Sequence, residues 1–283
     1  MINNLSKVFR YVNENGDSIE FTYDNGYIIS KPDGIDTVSV NISEAQGINQ
    51  TGTTIQSVNV NSRPVNVYGR LVGYFQSERK KELLSVIRPD LSARLYADDY
   101  YLDVRPSATP VIEPRANFAS FQFSLLAAYP YWQKDESVTA TLSGVSRGFK
   151  FPWNISRKYR FGEVVNAQFI NINNKGEIPV PFTVVFNALA EVSNPQLTDA
   201  KTGKYLLVNK DLIAGERLTI EITHERINAY SSVDGECRGA IDLRSSFNRL
   251  AVGDNVIKPD ASSGKENLLV DMKYAIEIVG VAV

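Results

Sequence analysis

The chain is poor in the residues that build most catalytic and metal sites. Its 283 residues include one Cys, one His and two Met. A single cysteine, Cys237, cannot form an intrachain disulfide, and one Cys with one His cannot supply the ligands of a Cys/His zinc site. A Ser or Cys nucleophile that needs an imidazole base would have to use His224, the only histidine. This composition disfavours an enzyme and predicts no metal and no cofactor.

Neither sign of charge dominates. Lys and Arg number 30 against 32 Asp and Glu, for a formal net charge of -2. Nucleic-acid and anionic-membrane binders normally display a basic surface, so this balance predicts no sequence-specific nucleic-acid partner. Residues 1–17 contain no apolar signal-peptide core, and no run reaches the roughly 18 apolar residues of a membrane-spanning helix. We therefore expect no membrane anchor and synthesis in a reducing cytoplasm.

Apolar residues that alternate with polar ones at period two are abundant. Such alternation is typical of half-buried strands, and turns rich in Gly, Asn and Asp separate the runs. The clearest alternating runs lie at 121–125, 182–186, 218–222 and 270–278. Short strands with frequent turns predict β-sandwiches or barrels, so the expected fold class is mainly β.

One helix and one hairpin are predicted in the first half. Ser77 can cap a helix that runs to Arg88, and Pro89 prevents its continuation. Asp98 and Asp99 stand between two apolar runs and suit a hairpin turn that joins residues 96 and 101. The helix should lie on a sheet, because one face is apolar and carries Leu83, Leu84 and Ile87.

The length predicts two domains, since single hydrophobic cores stop growing at about 250 residues. A polar stretch at 133–137 follows the aromatic stop at Trp132. We place a first domain at 1–135, a connector or irregular segment at 136–163 and a second β-sandwich at 164–283.

Three groups of residues are weighed as candidate chemistry. His224 precedes Glu225 and could act as a general base, but a strand-end histidine is the favoured interpretation. Arg238 could lower the pKa of the neighbouring Cys237, although a lone turn cysteine is more often structural. Asp98 and Asp99 could work as paired carboxylates, yet a hairpin turn accounts for them. We predict no catalytic, cofactor-binding or metal-binding residue.

Aromatic residues are numerous, with 14 Tyr, 13 Phe and two Trp. Sugar-binding sandwiches stack pyranose rings on exposed aromatics, and Trp153, Tyr159 or Tyr230 could serve in that way. The favoured interpretation is that aromatics fill sheet interfaces and subunit contacts. No residue is assigned to a glycan site at this point.

Taken in order, the motifs resemble the distal tail protein family of long-tailed, non-contractile phages, the siphovirus-type tail component. The order of many weak motifs carries the resemblance, and the segment 134–162 departs from the expected pattern. In the first half the motifs are RPVNVYGRLVG at 63–73, the helix at 77–88, FQF at 121–123 and AYPYW at 128–132. In the second half they are NINNKG at 171–176, PFTVVF at 181–186, NPQL at 194–197, TGKYL at 202–206, LIAGE at 212–216, IDL at 241–243 and VGDNVI at 252–257.

The resemblance implies a structural protein of the virion tail tip without catalytic activity. Its first domain, a β-sandwich with one helix and a hairpin, would form a homo-hexameric ring through which DNA passes. That ring would join the tail tube protein to the baseplate, a tail fibre, a tail-associated lysin or a receptor-binding protein. The second domain would be a galectin-like or carbohydrate-module-like β-sandwich. Host and receptor are left open.

Three functions remain open from the sequence. The first is a tail-tip hub, and the second is a glycan-binding adhesion module that recognises the host cell surface. The third is an esterase or glycosidase that uses His224 or a carboxylate pair. For the hub, assembly is assigned to the first half, which offers the helix, the 96–101 hairpin and a turn at 47–52.

Overall fold

The computed structural model is mainly β, which confirms the predicted fold class. Two compact units make up the chain. The first is Met1–Asp135 together with Glu277–Val283, and the second is Glu136–Ile276. The structure describes residues 8–73, 76–142, 144–146, 163–165 and 169–282.

The first unit contains one helix and ten complete strands among its described residues, plus the beginning of an eleventh. Every ladder in this unit is antiparallel. The elements are β1 (Phe9–Asn13), β2 (Ser18–Phe21), β3 (Tyr27–Ile29), β4 (Val40–Ala45), β5 (Thr54–Val60), β6 (Arg63–Leu71), α1 (Gln76–Val86), β7 (Ala93–Ala97), β8 (Tyr100–Pro106), β9 (Val111–Pro114), β10 (Ala119–Ala127) and β11 (Trp132–Thr141).

Two sheets of the first unit enclose one core. One sheet has the order β2-β1-β7-β8, and the start of β11 pairs with β8. The other has the order β3-β6-β10-β9, and β10 also pairs with the end of β8. Alternate residues of the strands point inward, so Phe21, Phe121 and Phe123 meet with ring centroids 6.0–6.4 Å apart. These stacked rings occupy the centre of the unit.

A glycine is needed where Phe121 crosses β6. A Cβ atom on Gly69 would lie 2.3 Å from the Phe121 Cζ atom, so only hydrogen fits there. The register agrees, because Gly69 and Phe121 are direct partners in the β6–β10 ladder. The alternation FQF at 121–123 is thus confirmed as a buried-exposed-buried strand.

The predicted helix exists, with different ends and a different buried face. It runs from Gln76 to Val86 rather than from Ser77 to Arg88. Leu83 is fully buried, as is Ile87 just beyond the helix, but Leu84 is exposed. Residues four apart share a helix face, whereas Leu84 is turned about 100° away from Leu83.

The second unit contains the remaining strands and two short 3₁₀ turns. All of its described ladders are antiparallel. The elements are β12 (Gly144–Ser146), β13 (Glu163–Val165), β14 (Ile170–Asn174), β15 (Thr183–Ala188), β16 (Val192–Asp199), β17 (Tyr205–Leu207), β18 (Asp211–Leu212), β19 (Arg217–Ile222), β20 (Ile227–Ser231), β21 (Gly235–Glu236), η1 (Arg238–Ala240), β22 (Gly253–Ser263), η2 (Lys265–Asn267) and β23 (Leu268–Ile278).

Two sheets also enclose the core of the second unit. One has the order β11-β23-β15-β19-β20-β21, and the other has the order β14-β22-β16-β17 with β18 beside β16. Phe182 and Phe186 are buried between them, and the Phe182 ring centroid lies 5.0 Å from that of Phe247. The architecture is a β-sandwich, in which the inner faces of two sheets share one core.

The observed division of the chain differs from the predicted boundaries at both ends of the second unit. Residues 136–141 continue strand β11, so part of the predicted connector is regular structure. Glu277–Val283 belongs to the first unit, although we assigned it to the second domain. The inward alternation of β23 breaks there, because Glu277 is buried and its Oε2 accepts a 2.5 Å hydrogen bond from the Tyr129 hydroxyl.

Candidate assembly surface

A long hairpin stands apart from the core of the first unit. Strands β4 and β5 pair only with each other, from Val40 opposite Val60 to Ala45 opposite Thr54. Every residue of β5 is exposed, and in β4 only Ala45 is partly covered. We call this element, residues 40–60, the arm.

The arm has one apolar face. Val40 faces Val60, and Ile42 faces Val58, two residues along the same side of the ladder. A register shift between Ser43 and Glu44 then places Ile55 opposite Glu44, on the same face. The opposite face carries polar residues such as Asn41 and Asn59, which also form a direct pair. We call Val40, Ile42, Ile55, Val58 and Val60 the apolar stripe.

The apolar stripe is not covered by the described residues of the chain. Its five side chains are 45–59% exposed. Ile48, in the connection between the strands, is 98% exposed. Contiguous exposed apolar patches are uncommon on monomeric proteins, so the stripe is a candidate contact surface.

The connection at the arm tip is held by its own hydrogen bonds. The Gly47 backbone N–H donates to Gln50 Oε1 at 2.9 Å, and Gln50 Nε2 donates to Thr54 Oγ1 at 2.9 Å. Thr53 Oγ1 donates to Glu44 Oε2 at 2.7 Å. Asn49, with φ of 65°, occupies the left-handed region that Asn tolerates in turns. The arm is therefore a formed hairpin along its whole length.

The root of the arm is anchored in the core of the first unit. The Ile35 carbonyl oxygen accepts hydrogen bonds from Trp132 Nε1 at 3.0 Å and from Arg63 Nη1 at 2.8 Å. Arg63 is 2% exposed, and a second guanidinium nitrogen, Nη2, donates to the Val279 carbonyl. Burial lowers the pKa of Arg63 to about 10, and the nearby Asp36 carboxylate opposes that shift.

The C-terminal tail completes the root. The Val281 backbone N–H donates to the same Ile35 carbonyl at 3.3 Å, and the Val281 side chain is buried in the core. A Cβ atom on Gly280 would lie 2.4 Å from the Asp36 carbonyl oxygen, so the tail passes in close backbone contact. Residues far apart in the sequence thus fix the base from which the arm projects.

In the β7–β8 hairpin of the first unit, the outward-facing side chains contact partners within the same chain. The Arg10 guanidinium lies 4.6 Å from the Tyr96 ring centroid, and that of Arg94 lies 4.4 Å from the Tyr101 centroid. Arg94 Nε also donates to Asp103 Oδ1 at 3.0 Å. Arg and Tyr are frequent in interfaces, but here each already has partners within the chain.

We considered Asp98, Asp99 and Cys237 as candidate catalytic groups, and they have different structural roles. Asp98 and Asp99 form the turn between β7 and β8, and Asp98 Oδ1 accepts the Val8 backbone N–H at 3.1 Å. Burial raises the pKa of the Cys237 thiol, contrary to the lowering expected from Arg238. A raised pKa leaves less thiolate at neutral pH, which disfavours a nucleophilic role.

The remaining candidates do not form an aromatic platform in the described residues. His224 is half-buried in the loop after β19, and its Nδ1 lies 3.5 Å from Arg249 Nη1. Tyr230 is 60% exposed on β20. Trp153 and Tyr159 lie outside the described residues. Within the described ranges, no three His, Cys, Asp or Glu side chains are grouped so as to hold a metal ion, and no helix is long and apolar enough to cross a membrane.

Our sequence interpretation missed the arm and used only its turn at 47–52. The signal was present, because Val40 and Ile42 alternate with polar residues, as do Val58 and Val60. Period-two alternation predicts a strand with one apolar face. It does not tell whether that face is buried in the same chain.

One protein-family model and several solved structures match the chain. The family model of the siphovirus-type tail component, C-terminal domain, matches residues 175–276. The crystal structure of the Dit protein (gp 19.1) of phage SPP1 matches with a TM-score of 0.69 and 13% identity, over 96% of this chain and 99% of that one. A chain of the phage P2 baseplate in its activated conformation with Ca matches with a TM-score of 0.50 and 9% identity, over 98% of this chain and 100% of that one.

These similarities have different reach. No curated protein sequence matches the chain. At 13% and 9% identity the structural matches establish the fold alone. The family model of the tail component's C-terminal domain covers only residues 175–276, which lie in the second unit. The fold is shared with the SPP1 Dit protein over nearly the whole chain. The motif order of the sequence resembles the same family.

Proposed function

We propose that the chain is a structural component of a phage tail tip that forms a homo-hexameric ring hub. The ring would join the tail tube to the baseplate or to the host-adsorption apparatus, and DNA would pass through its lumen. The phage SPP1 Dit protein, which shares this fold, is a paradigm of the hub adsorption apparatus in phages that infect Gram-positive bacteria, and this likeness supports the proposed role. The proposed role is assembly and needs no catalytic residue.

The exposed apolar stripe of the arm is the observation that carries the proposal. An amphipathic hairpin with nothing on its apolar face gains free energy when another molecule removes that face from water, at about 25 cal/mol per Å². The two strands supply 6 and 7 residues, comparable to one side of a standard interface when the tip is added. The arm is thus large enough to carry a subunit contact.

A second copy of the same chain is the occupant we propose. A protruding arm that docks on a different surface of its neighbour makes a heterologous contact, and such contacts close into rings when the rotation per subunit permits. The formal net charge of -2 offers little long-range repulsion between copies. The anchored root supports the same role, because a fixed exit direction sets the rotation between neighbours.

The tail tube protein above the ring, and a tail fibre, tail-associated lysin or receptor-binding protein below it, are the further partners we propose. The balanced charge supports a lumen without a strongly basic lining, since a basic channel would retain the DNA that must leave. The protein would then reside in the virion tail tip after synthesis in the bacterial host cytoplasm.

The test compares two double variants of the full chain by light scattering coupled to size-exclusion chromatography. Ile42→Asp with Val58→Asp places two charges in the apolar stripe, and we expect at least about a hundredfold loss in association, as for a truncated hot spot. Asn41→Asp with Asn59→Asp places the same charges as a direct pair on the opposite face. This control should assemble like the wild type.

The outcomes separate clearly. Equal assembly of both double variants would show that the arm is not the subunit contact. A wild-type chain that stays monomeric at every concentration would require the tail partner for assembly, and the same variants would then be compared for incorporation into virions. Unchanged incorporation of the stripe variant would contradict the proposed role of the arm.

A further inference from the structure

The second unit contains an open cavity with several arginines in its lining. Its volume is ≈ 430 Å³, which lies within the range of ligand sites. One wall is the loop from Ile222 to Ile227, and the other is formed by parts of the chain between Arg238 and Arg249. The polar lining includes Thr223, His224, Glu225, Arg226, Arg238, Asp242, Ser245, Asn248 and Arg249.

The cavity has uncompensated positive charge. Arg226, Arg238 and Arg249 make no ion pair among the described residues. The lining carboxylate of Asp242 is occupied by Arg244, whose Nη2 lies 3.1 Å from Oδ2. That leaves Glu225 as the lining carboxylate without a described ion pair, against three guanidinium groups.

The partly buried basic side chain of Lys210 in the same unit is paired with carboxylates, whereas Arg226, Arg238 and Arg249 are exposed. Lys210 Nζ lies 3.1 Å from Glu216 Oε1 and also contacts Asp234. Three exposed arginines line this one cavity, and Glu225 is the only lining carboxylate without a described ion pair, so guanidinium donors are available to a ligand. Each guanidinium presents five N–H donors in a fork that fits phosphate or carboxylate oxygens.

The walls of the cavity are held in place by local hydrogen bonds. Thr223 Oγ1 accepts the backbone N–H groups of Glu225 and Arg226 at 3.3 and 3.1 Å. The Leu207 backbone N–H donates to Ser245 Oγ at 3.0 Å, which ties the opposite wall to β17. Arg249 Nη1 lies 3.5 Å from the Pro179 carbonyl oxygen and from His224 Nδ1. The donors are thus presented on ordered loops, which limits the entropy lost on binding.

We propose that this cavity binds an anionic sugar, with a phosphate or carboxylate group held by Arg238 and Arg249. The Glu225 carboxylate and the Asn248 amide offer acceptors for sugar hydroxyl groups, and the amide also donates. An acidic peptide would use the arginines but would meet Glu225 with like charge. No aromatic side chain is among the described residues that line the cavity, so the proposed recognition rests on charge and hydrogen bonds rather than on the stacking considered for Tyr230. This inference is independent of the ring proposed for the first unit.

The test titrates the full-length protein with glucose 1-phosphate as the probe, with glucose and inorganic phosphate as reference ligands. Calorimetry and saturation-transfer NMR would report binding. We expect glucose 1-phosphate to bind at least about tenfold more tightly than glucose, because charge-assisted hydrogen bonds are the stronger ones. Its affinity should fall as salt rises from 0.05 to about 0.5 M, since exposed charges are screened.

Variants identify the site. Arg238→Gln and Arg249→Gln should each weaken binding of glucose 1-phosphate about tenfold, by the loss of one charged fork. Arg217→Gln is the matched control, because Arg217 is exposed on β19 of the same unit and does not line the cavity. Substitutions at exposed positions of this kind change the free energy of unfolding little, so the variants should fold.

Several results would overturn the proposal. Equal binding of glucose and glucose 1-phosphate would remove the anionic requirement, and equal binding of inorganic phosphate would remove the sugar. Binding that Arg238→Gln and Arg249→Gln leave unchanged would place the ligand elsewhere. Tighter, arginine-dependent binding of poly-glutamate would make the cavity a protein contact, for which the fully exposed Leu243 at its rim would be an apolar anchor.

Discussion

The β7–β8 hairpin and the arm of the first unit share the same alternation of apolar and polar residues, but their apolar faces differ in burial. In the β7–β8 hairpin, Ala93, Leu95 and Ala97 point into the core, and a two-residue turn joins the strands. In the arm, Val40 and Ile42 alternate with polar residues in the same way, yet their side chains are almost half exposed. Both are antiparallel ladders with one apolar face.

The difference shows that an apolar stripe predicts a strand face that becomes buried. It does not tell whether the same chain or another molecule covers that face. The β7–β8 hairpin is covered by the second sheet of its own unit, so its outer face can carry the Arg94–Asp103 pair and the half-buried Tyr96 and Tyr101. The arm has no such cover within the described chain. The assembly proposed for this chain would cover the apolar face of the arm, whereas folding of the unit itself covers that of β7–β8.

The largest difference between the hairpins is expected from a matched truncation in each of them. Leu102→Ala removes a fully buried side chain from β8, and we expect it to lower the free energy of unfolding by about 2–5 kcal/mol. Val58→Ala removes a 55% exposed side chain from the arm, and we expect less than about 0.5 kcal/mol. Urea unfolding of dilute, monomeric protein measures both. Similar losses would show that the arm is buried in the monomer.

A second variant tests whether the root of the arm belongs to the core. Arg63→Met keeps most of the buried volume but leaves the Val279 carbonyl without its guanidinium donor, whereas Trp132 still donates to Ile35. We expect a loss of about 1–3 kcal/mol, because the variant loses the buried hydrogen bonds that the guanidinium donates to the Ile35 and Val279 carbonyls. Arg70→Met is the control on the same strand, because Arg70 is exposed and its guanidinium packs on the Phe118 ring.

Thermal unfolding followed by circular dichroism compares these two variants. If Arg70→Met proved as destabilising as Arg63→Met, the anchoring role of Arg63 would be wrong. A stable Arg63→Met protein that assembles poorly would instead show that the root serves to direct the arm.

The smallest effect is expected on the outer face of β7–β8. Arg94→Gln removes the ion pair with Asp103, in which the two side chains are 48% and 56% exposed. Exposed pairs contribute about 1 kcal/mol or less, because water and salt screen them. Unfolding at low and at high salt would check this, and the wild type and variant should converge at high salt. A loss comparable to Leu102→Ala would mean that this face is also buried in an assembly.

Much of the fold follows from local patterns in the sequence. The alternation at 121–125, 182–186 and 218–222 corresponds to strands β10, β15 and β19. Asp98–Asp99 forms the predicted turn, and several predicted glycine turns have positive φ, for example Gly26 and Gly215. Alternation and turn chemistry act over a few residues, so they survive whatever packs against them.

Other features depend on residues distant in sequence and could not be predicted from it. The alternation of β23 predicted Glu277 outside, but Glu277 is buried against Tyr129. A fragment that ends near Asp135 would therefore lack the tail that supplies the Val279 and Val281 contacts with the arm root. Nothing in the local sequence around 277 indicates that partner.

Periodicity, turn residues and motif order along the chain are enough to predict the mainly β class, the position of the helix, the turns and the resemblance to distal tail proteins. They do not predict that the described residues leave Val40, Ile42 and Val58 uncovered while Leu95 and Leu102 are buried, which follows from the three-dimensional packing. Burial depends on which surfaces meet in three dimensions, and period-two alternation is the same whether the covering surface belongs to this chain or to another.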